Sequence, residues 1–172
     1  AIEAARAAQP AWEKEAAIAR AQQLRSIATL IRENADMLAH TITEEQGKVL
    51  SLAEVEVAFT ADYIDYTSEW ARRIEGEIIQ SDRPNENIFL FRQALGVVGG
   101  ILPWNFPFFL IARKMAPALV CGNTIVIKPS EETPNNAFEF AKLVEQSDLP
   151  AGVFNLVSGR GQTVGAQLAG SP

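Results

Sequence analysis

An asparagine at position 105 stands between two prolines in the segment Pro103-Trp104-Asn105-Phe106-Pro107, directly after an apolar run that ends at Leu102. Proline fixes φ and restricts the residue before it, so Asn105 is expected on a stiff turn at a strand's end. A primary amide there can donate an N–H to a carbonyl oxygen that becomes negative during a reaction, which is an oxyanion-hole role. The alternative is a turn asparagine that bonds its own backbone, and the spacing alone favours this alternative.

A lysine and a glutamate, Lys128 and Glu131, follow the apolar run TIVIK. Ligands of open parallel sheets bind beyond the carboxyl ends of the strands. An ammonium group donates hydrogen bonds and a carboxylate accepts them, so the pair could hold the two hydroxyls of a ribose. The alternative is an exposed salt bridge worth about 0–1 kcal/mol.

A glycine-rich loop runs from Ser158 to Gly165, between the apolar run VFNLV and a segment of helical composition. Its spacing is G-x-G-x-x-x-G, because Val164 occupies the position where the common dinucleotide fingerprint has glycine. The loop could still let a nucleotide approach the backbone near a helix N-terminus. The alternative is a turn between a strand and a helix.

Cys121 and His40 are the chain's single cysteine and single histidine. No base is found beside Cys121 in the sequence, so we expect a structural cysteine rather than a nucleophile. His40 is likewise expected to be structural or on the surface. One cysteine and one histidine are too few for a zinc site built from these ligands, and no metal site is predicted.

The first half of the chain has the composition of helices, since Ala, Glu, Arg and Gln dominate residues 3–45. Apolar residues recur there near helical spacing and are the predicted core of this half: Leu24, Ile27, Ile31, Leu38 and Ile42.

The next helix is predicted to begin with a capping box, in which Ser51 and Glu54 each bond a free backbone N–H of the first turn. Large apolar residues follow at steps of three and four and end before Gly76. We expect this stripe to be core: Leu52, Val55, Phe59, Tyr63, Tyr66, Trp70 and Ile74.

The hydrophobic period then changes from 3.6 to 2. Strands are predicted over 77–80, 87–93, 95–102, 124–128 and 153–157, and helices over 108–120, 134–146 and 163–168. Strands that alternate with helices pair in parallel, so an α/β sheet is expected after a helical segment and a hairpin.

Composition excludes several classes of protein. The chain has 172 residues, of which 48% are hydrophobic, and this apolar content is too high for a disordered protein. A single cysteine excludes an intramolecular disulfide. The net charge of −6 argues against nucleic acid and anionic membranes as partners, because their fields are repulsive.

The chain is expected to be soluble and cytoplasmic. Its most apolar stretch, residues 106–112, is far shorter than the roughly 20 residues of a membrane span. No signal peptide is recognised, and an unpaired cysteine fits a reducing compartment. A first residue other than methionine and an end within a helical pattern predict a piece of a larger protein.

Several of these segments together resemble the NAD(P)-dependent aldehyde dehydrogenase superfamily. The resemblance covers essentially the whole chain and rests on the order and separation of its motifs, which are GVVGGILPWNFP at 96–107, PAL at 117–119, GNT at 122–124, KPSE at 128–131 and the loop 159–165. Residues 53–66 and 75–84 further resemble the bacterial lactaldehyde and glycolaldehyde dehydrogenases within it.

The resemblance implies a role for each candidate residue. Asn105 matches the catalytic asparagine whose amide stabilises an oxyanion. Further matches are to residues of the NAD site: Leu102, Pro103, Trp104, Lys128, Glu131, Gly161 and Gly165. The face with Phe106, Leu110 and Arg113 matches the wall of the aldehyde tunnel.

The resemblance also implies an architecture: a helical part over 1–76, an oligomerisation arm over 77–93, and an incomplete cofactor-binding part over 94–172 with a partial Rossmann-like sheet. It implies that the parent protein oxidises a small aldehyde, with lactaldehyde and glycolaldehyde as candidates, to the acid with NAD, as a dimer or tetramer. The family's nucleophilic cysteine and general-base glutamate match no residue of this chain, so the chain alone is expected to be inactive. The alternative is a non-catalytic relative that acts as a binding or assembly module.

Overall fold

The structure is a computed structural model, and it describes residues 1–171. Four helices come first: α1 (Ile2–Lys14), α2 (Ala17–Glu33), α3 (Ala35–Gln46) and α4 (Leu50–Ser68). A hairpin of β1 (Glu77–Gln80) and β2 (Asn87–Leu90) follows. The rest alternates strands and helices: β3 (Val97–Ile101), α5 (Phe109–Val120), β4 (Thr124–Lys128), α6 (Asn135–Gln146), β5 (Phe154–Leu156) and α7 (Ala166–Ala169). Pro172, the last residue of the predicted 94–172 part, lies outside the described residues.

The helical half forms one side of a continuous core. The five residues predicted as core in α2 and α3 are all fully buried, which confirms that prediction. Helix α4 packs against α2, α3 and α5 and so joins the helical half to the later elements.

The predicted core stripe that begins in α4 is wrong at five of its seven positions, whereas Tyr63 and Ile74 are partly buried against the core. Its members Leu52, Val55, Phe59, Tyr66 and Trp70 are 42–63% exposed. The buried face instead carries mostly small residues at the same spacing: Ala53, Glu56, Val57, Thr60, Ala61 and Ile64. Both faces satisfy the helical period, so the prediction chose the face with the larger apolar side chains. The face with small side chains is buried because it lets neighbouring helices approach closely.

The predicted capping box is also wrong. Helix α4 begins at Leu50, with Val49 as its N-cap and no hydrogen bond from the capping side chain. Ser51 therefore lies inside the first turn, two positions after the N-cap, where its hydroxyl cannot bond the N–H groups as an N-cap does.

Strands β3, β4 and β5 form a parallel sheet in that order, which confirms the predicted α/β class. Val97 pairs with Thr124 and Ile101 with Lys128, so β3 and β4 end at the same edge. Every residue of β4 is buried, as expected of a central parallel strand. Helices α1, α5 and α6 pack against the sheet strands.

Strands β1 and β2 form a separate antiparallel sheet in which Glu77 pairs with Leu90. All eight strand residues are exposed, including the large side chains of Ile78 and Phe89. The second strand is shorter than predicted, because pairing stops at Leu90 rather than reaching Gln93. The division of the chain at 76 and 93 stays a prediction. Within residues 1–171, none of the helices combines the length and apolarity needed to cross a membrane.

Candidate functional site

The turn 103–107 leaves the carboxyl end of β3 as predicted. Leu102 is buried and its backbone N–H donates to the carbonyl oxygen of Lys128 over 3.0 Å. Pro103, Trp104, Asn105 and Phe106 are exposed, whereas Pro107 is buried again. The turn therefore projects from the sheet edge at which Lys128 also lies.

The side-chain amide of Asn105 makes no hydrogen bond to any residue in the described part of the chain, whereas its carbonyl oxygen is held. Lys48 Nζ donates to that oxygen over 3.1 Å, and Gln46 Nε2 lies 3.4 Å from it. The same Gln46 nitrogen donates to the carbonyl of Trp104 over 3.2 Å. The turn alternative expected the amide to bond the local backbone, and this contact is not made.

Lys48 and Glu56 form an ion pair beneath the turn, and the sequence analysis did not find it. Lys48 Nζ also lies 4.4 Å from the centre of the Phe106 ring. Glu56 Oε1 accepts the backbone N–H groups of Phe108 at 2.9 Å and Phe109 at 3.1 Å, where α5 begins. The sequence analysis placed the other face of α4 in the core, so nothing in the pattern indicated that Glu56 is buried.

Lys128 and Glu131 form the second half of the candidate site. Lys128 is only 1% exposed, and its Nζ donates to Pro129 O at 2.8 Å and to Glu131 Oε2 at 3.1 Å. Glu131 itself is exposed, with both carboxylate oxygens 3.2 Å from the backbone nitrogen of Gly161. That N–H bond, and secondarily Lys128, lower the pKa of Glu131, which keeps the carboxylate charged.

The glycine-rich loop closes over this pair. Residues Gly161–Gly165 form one π-type turn, and α7 follows at once. A Cβ added at Gly165 would lie 3.6 Å from Lys128 Cδ, which places the loop against the lysine stem.

Gly159 explains the unusual spacing of the loop. Its φ is +150°, and a Cβ there would lie 2.4 Å from Val164 Cγ2. The valine that breaks the common fingerprint thus packs on a glycine that no other residue can replace without strain.

The predicted tunnel residues are brought together only in part. The N–H of Leu110 donates to Phe106 O at 3.0 Å, so Phe106 precedes α5 by one turn, and Leu110 is half-buried. Arg113 is exposed and makes no ion pair with residues 1–171. Phe109, which the sequence analysis did not single out, has its ring 4.7 Å from Phe59 and 5.4 Å from Tyr63.

Cys121 is exposed at the C-cap of α5. Partial burial of the sulfur raises the pKa of the Cys121 thiol, and the positive charge of Arg20 opposes that shift. His40 is exposed and its Nδ1 lies 2.8 Å from the carbonyl oxygen of Asp36, far along the chain from Cys121. No group of three or more metal-ligating side chains occurs among the described residues.

Comparison with known proteins identifies the family. Residues 1–172 match the aldehyde dehydrogenase family. The chain is 70% identical over 172 residues to lactaldehyde dehydrogenase of Escherichia coli (strain K12) and covers 36% of that protein. A solved structure of lactaldehyde dehydrogenase superposes with a TM-score of 0.98 over 99% of this chain and 36% of the other.

A more distant relative is similar to the chain in both sequence and structure. The chain is 44% identical over 97% of its length to 3,6-anhydro-alpha-L-galactose dehydrogenase of Vibrio sp. (strain EJY3), of which it covers 35%. A solved structure of 3,6-anhydro-L-galactose dehydrogenase in complex with NAP has a TM-score of 0.95, at 46% identity, over 98% of this chain and 35% of the other. The chain thus spans about a third of the length of these relatives. It belongs to the aldehyde dehydrogenase family.

Proposed function

We propose that this chain supplies the oxyanion donor and the nucleotide-ribose clamp of an enzyme that oxidises a small aldehyde to its carboxylic acid with NAD. The observation that carries the proposal is the Asn105 side-chain amide, which makes no hydrogen bond to residues 1–171 although Lys48 holds the backbone carbonyl of the same residue. The turn that carries it leaves the sheet edge at which Lys128 also lies.

Asn105 would act where negative charge develops. When a nucleophile adds to an aldehyde carbon, the carbonyl oxygen gains negative charge, and a fixed N–H donor stabilises that charge more than it stabilises the neutral aldehyde. The Asn105 amide needs no local bond to be broken before it donates, because it has no partner among residues 1–171. Cys121 does not match the family's nucleophile, so the 172-residue chain alone is expected not to turn over an aldehyde.

Lys128, Glu131 and the glycine loop have the chemistry that the adenosine end of NAD requires. The buried ammonium donates and the exposed carboxylate accepts, which is the complement of a ribose diol. NAD, when bound, accepts the hydride that the aldehyde carbon loses. The Glu131 carboxylate would repel a 2′-phosphate, so we propose NAD rather than NADP.

The proposed substrate is a small hydroxyaldehyde, with lactaldehyde and glycolaldehyde as candidates. The 70% identity to lactaldehyde dehydrogenase supports this choice. We propose that Phe106, Leu110 and Arg113 line the path of the aldehyde. The exposed Arg113 would favour a substrate that bears a hydroxyl or carboxyl group over a plain alkyl aldehyde. If Arg113→Leu leaves the preference between glycolaldehyde and hexanal unchanged, this assignment is wrong.

A role in assembly is the second candidate, and the hairpin favours it. Ile78 is 79% exposed and Phe89 57% exposed on two strands that, among residues 1–171, pack mainly on each other. Apolar side chains on exposed strands are typical of contact surfaces. We propose that this arm joins copies of the protein into a dimer or tetramer. Light scattering of an Ile78→Lys, Phe89→Lys variant should then report a smaller particle than the parent protein.

The experiment that tests the proposed function is a chimera. The matching third of the Escherichia coli lactaldehyde dehydrogenase is replaced by this chain, which the near-identical backbone permits. The chimera should oxidise lactaldehyde with NAD and bind NAD with the affinity of the unmodified Escherichia coli enzyme. A folded chimera that binds no NAD would contradict the clamp, and one that binds NAD but oxidises no aldehyde would contradict the role of the turn.

A further inference from the structure

The Lys48–Glu56 pair contacts the backbone at Asn105 and again at the start of α5, directly after the turn. Lys48 Nζ donates to the Asn105 carbonyl oxygen, which precedes Phe106. Glu56 Oε1 accepts the N–H groups of Phe108 and Phe109, which follow it. The ion pair between the two side chains links these contacts, so the α3–α4 connection and α4 together hold the middle of the turn and the start of α5.

We infer that Lys48 and Glu56 are positioning residues that fix the peptide plane of Asn105 and so aim its side-chain amide. This inference rests on the proposed role of Asn105. Neither residue is catalytic, because Lys48 contacts the backbone of the turn and Glu56 the backbone at the start of α5, rather than a reacting atom.

The burial of the pair argues for a positioning role. The Glu56 side chain is fully buried and that of Lys48 is 11% exposed. Burying charges is costly, and a well-packed apolar pair is often as stable as a buried ion pair or more so. Stability alone therefore does not account for a lysine and a glutamate here, whereas fixed geometry does, since both carboxylate oxygens and the ammonium have defined partners.

The backbone of the turn needs such support. Pro103 and Pro107 restrict their own φ and the residues before them, but the peptide between Asn105 and Phe106 has no proline of its own. Its carbonyl is held by Lys48 and, more loosely, Gln46. Without that bond the backbone at Asn105 is free to shift and to carry its side chain with it, and misplacement by about 1 Å can cost roughly 100-fold in rate.

The test uses the chimera, four variants of the pair and one control variant. Lys48→Met and Glu56→Gln each break the ion pair, and Lys48→Met/Glu56→Gln removes both buried charges together. Lys48→Arg keeps a cation that can donate to both partners. Arg32→Met is the matched control, because it removes an ion pair with Asp62 and Asp65 at a surface site on α2.

We expect Lys48→Met and Glu56→Gln each to lower kcat by about 10- to 100-fold with the KM for NAD changed less than twofold. Lys48→Arg should lose far less kcat than Lys48→Met. The double variant should regain the melting temperature of the parent but not its kcat. Its crystal structure should show the Asn105 side chain displaced. Arg32→Met should leave kcat unchanged.

Two results overturn the inference. A double variant with parental kcat shows that the pair does not aim Asn105. If kcat falls in proportion to the melting temperature in the single variants, and both return to the parental values in the double variant, the pair has only a structural role. The proposed function fails separately, if Asn105→Ala itself keeps normal kcat. If the chimera is inactive for another reason, an undisplaced Asn105 in the crystal structure of the double variant still contradicts the inference.

Discussion

The backbone N–H of Leu102 donates to the carbonyl oxygen of Lys128 over 3.0 Å, one residue beyond the last paired position of β3 and β4. This bond carries the sheet pairing up to the point where the Asn105 turn begins. The turn that carries the candidate oxyanion donor and the strand end that carries Lys128 therefore start from two neighbouring strands of one parallel sheet.

Glu131→Gln should relax the choice of cofactor. The substitution keeps the size of the side chain and removes the charge that would repel a 2′-phosphate. In the chimera, the ratio of kcat/KM for NAD over that for NADP should fall by about tenfold. Glu132→Gln is the matched control, because it removes the same charge from the exposed neighbouring residue. An equal ratio in parent and Glu131→Gln proteins contradicts the clamp's role in cofactor choice.

Glu131 should also titrate below the ordinary glutamate value of about 4.3, because the Gly161 N–H and Lys128 both favour its charged form. A carboxyl with a depressed pKa in the folded state stabilises that state above the ordinary value, and the contribution fades as the pH falls through the folded pKa. NMR titration of the Glu131 carboxyl carbon measures the midpoint directly. Lys128→Met should raise the midpoint only in part, since the Gly161 bond is the larger cause. A midpoint at or above 4.3 contradicts the geometry.

The two faces of α4 should respond oppositely to substitution. Ala61 is fully buried, so Ala61→Leu should lower the free energy of unfolding of the 172-residue chain by about 1–3 kcal/mol through overpacking. Val55 is 63% exposed, so Val55→Ser should change it by no more than about 0.5 kcal/mol. Urea denaturation measures both values. The opposite ranking would restore the stripe that the sequence predicted as core.

Gly159→Ala should destabilise the glycine loop, because it combines a left-handed φ with a clash against Val164. The expected cost is about 1–3 kcal/mol. Gly161→Ala is the comparison, since a Cβ there meets nothing nearer than Glu131 Oε2 at 3.9 Å and the backbone has no positive φ. Thermal unfolding should rank Gly159→Ala well below Gly161→Ala, and equal melting temperatures would show that the loop relaxes freely.

Sequence alone predicted the parts of this molecule that follow local rules. The alternation of TIVIK and VFNLV with helical segments predicted the parallel sheet, which the structure confirms. Because strands of such a sheet end at one edge, the positions of Asn105 and Lys128 near that edge followed as well. The resemblance to the family's ordered set of motifs supplied the candidate roles of Asn105 and Lys128, and these roles remain predictions.

What the sequence could not reveal depends on contacts between distant residues. Glu56 lies 52 positions from Phe108, and no period or motif connects them. The face of α4 that is buried was misjudged because large apolar residues outweigh small ones in any pattern, although the small ones at Ala53, Val57 and Ala61 allow the close packing. Gly161 could be assigned to the loop but its bond to Glu131 could not.

We propose above all that the Asn105 amide stabilises the negative charge that develops on the aldehyde oxygen. The most direct measurement is Asn105→Ala in the chimera, with kcat for lactaldehyde and the dissociation constant for NAD determined on the same protein. We expect kcat to fall by about 10²- to 10³-fold while NAD affinity stays within twofold of the parent. Normal turnover, or a loss explained entirely by weaker NAD binding, would contradict the claim.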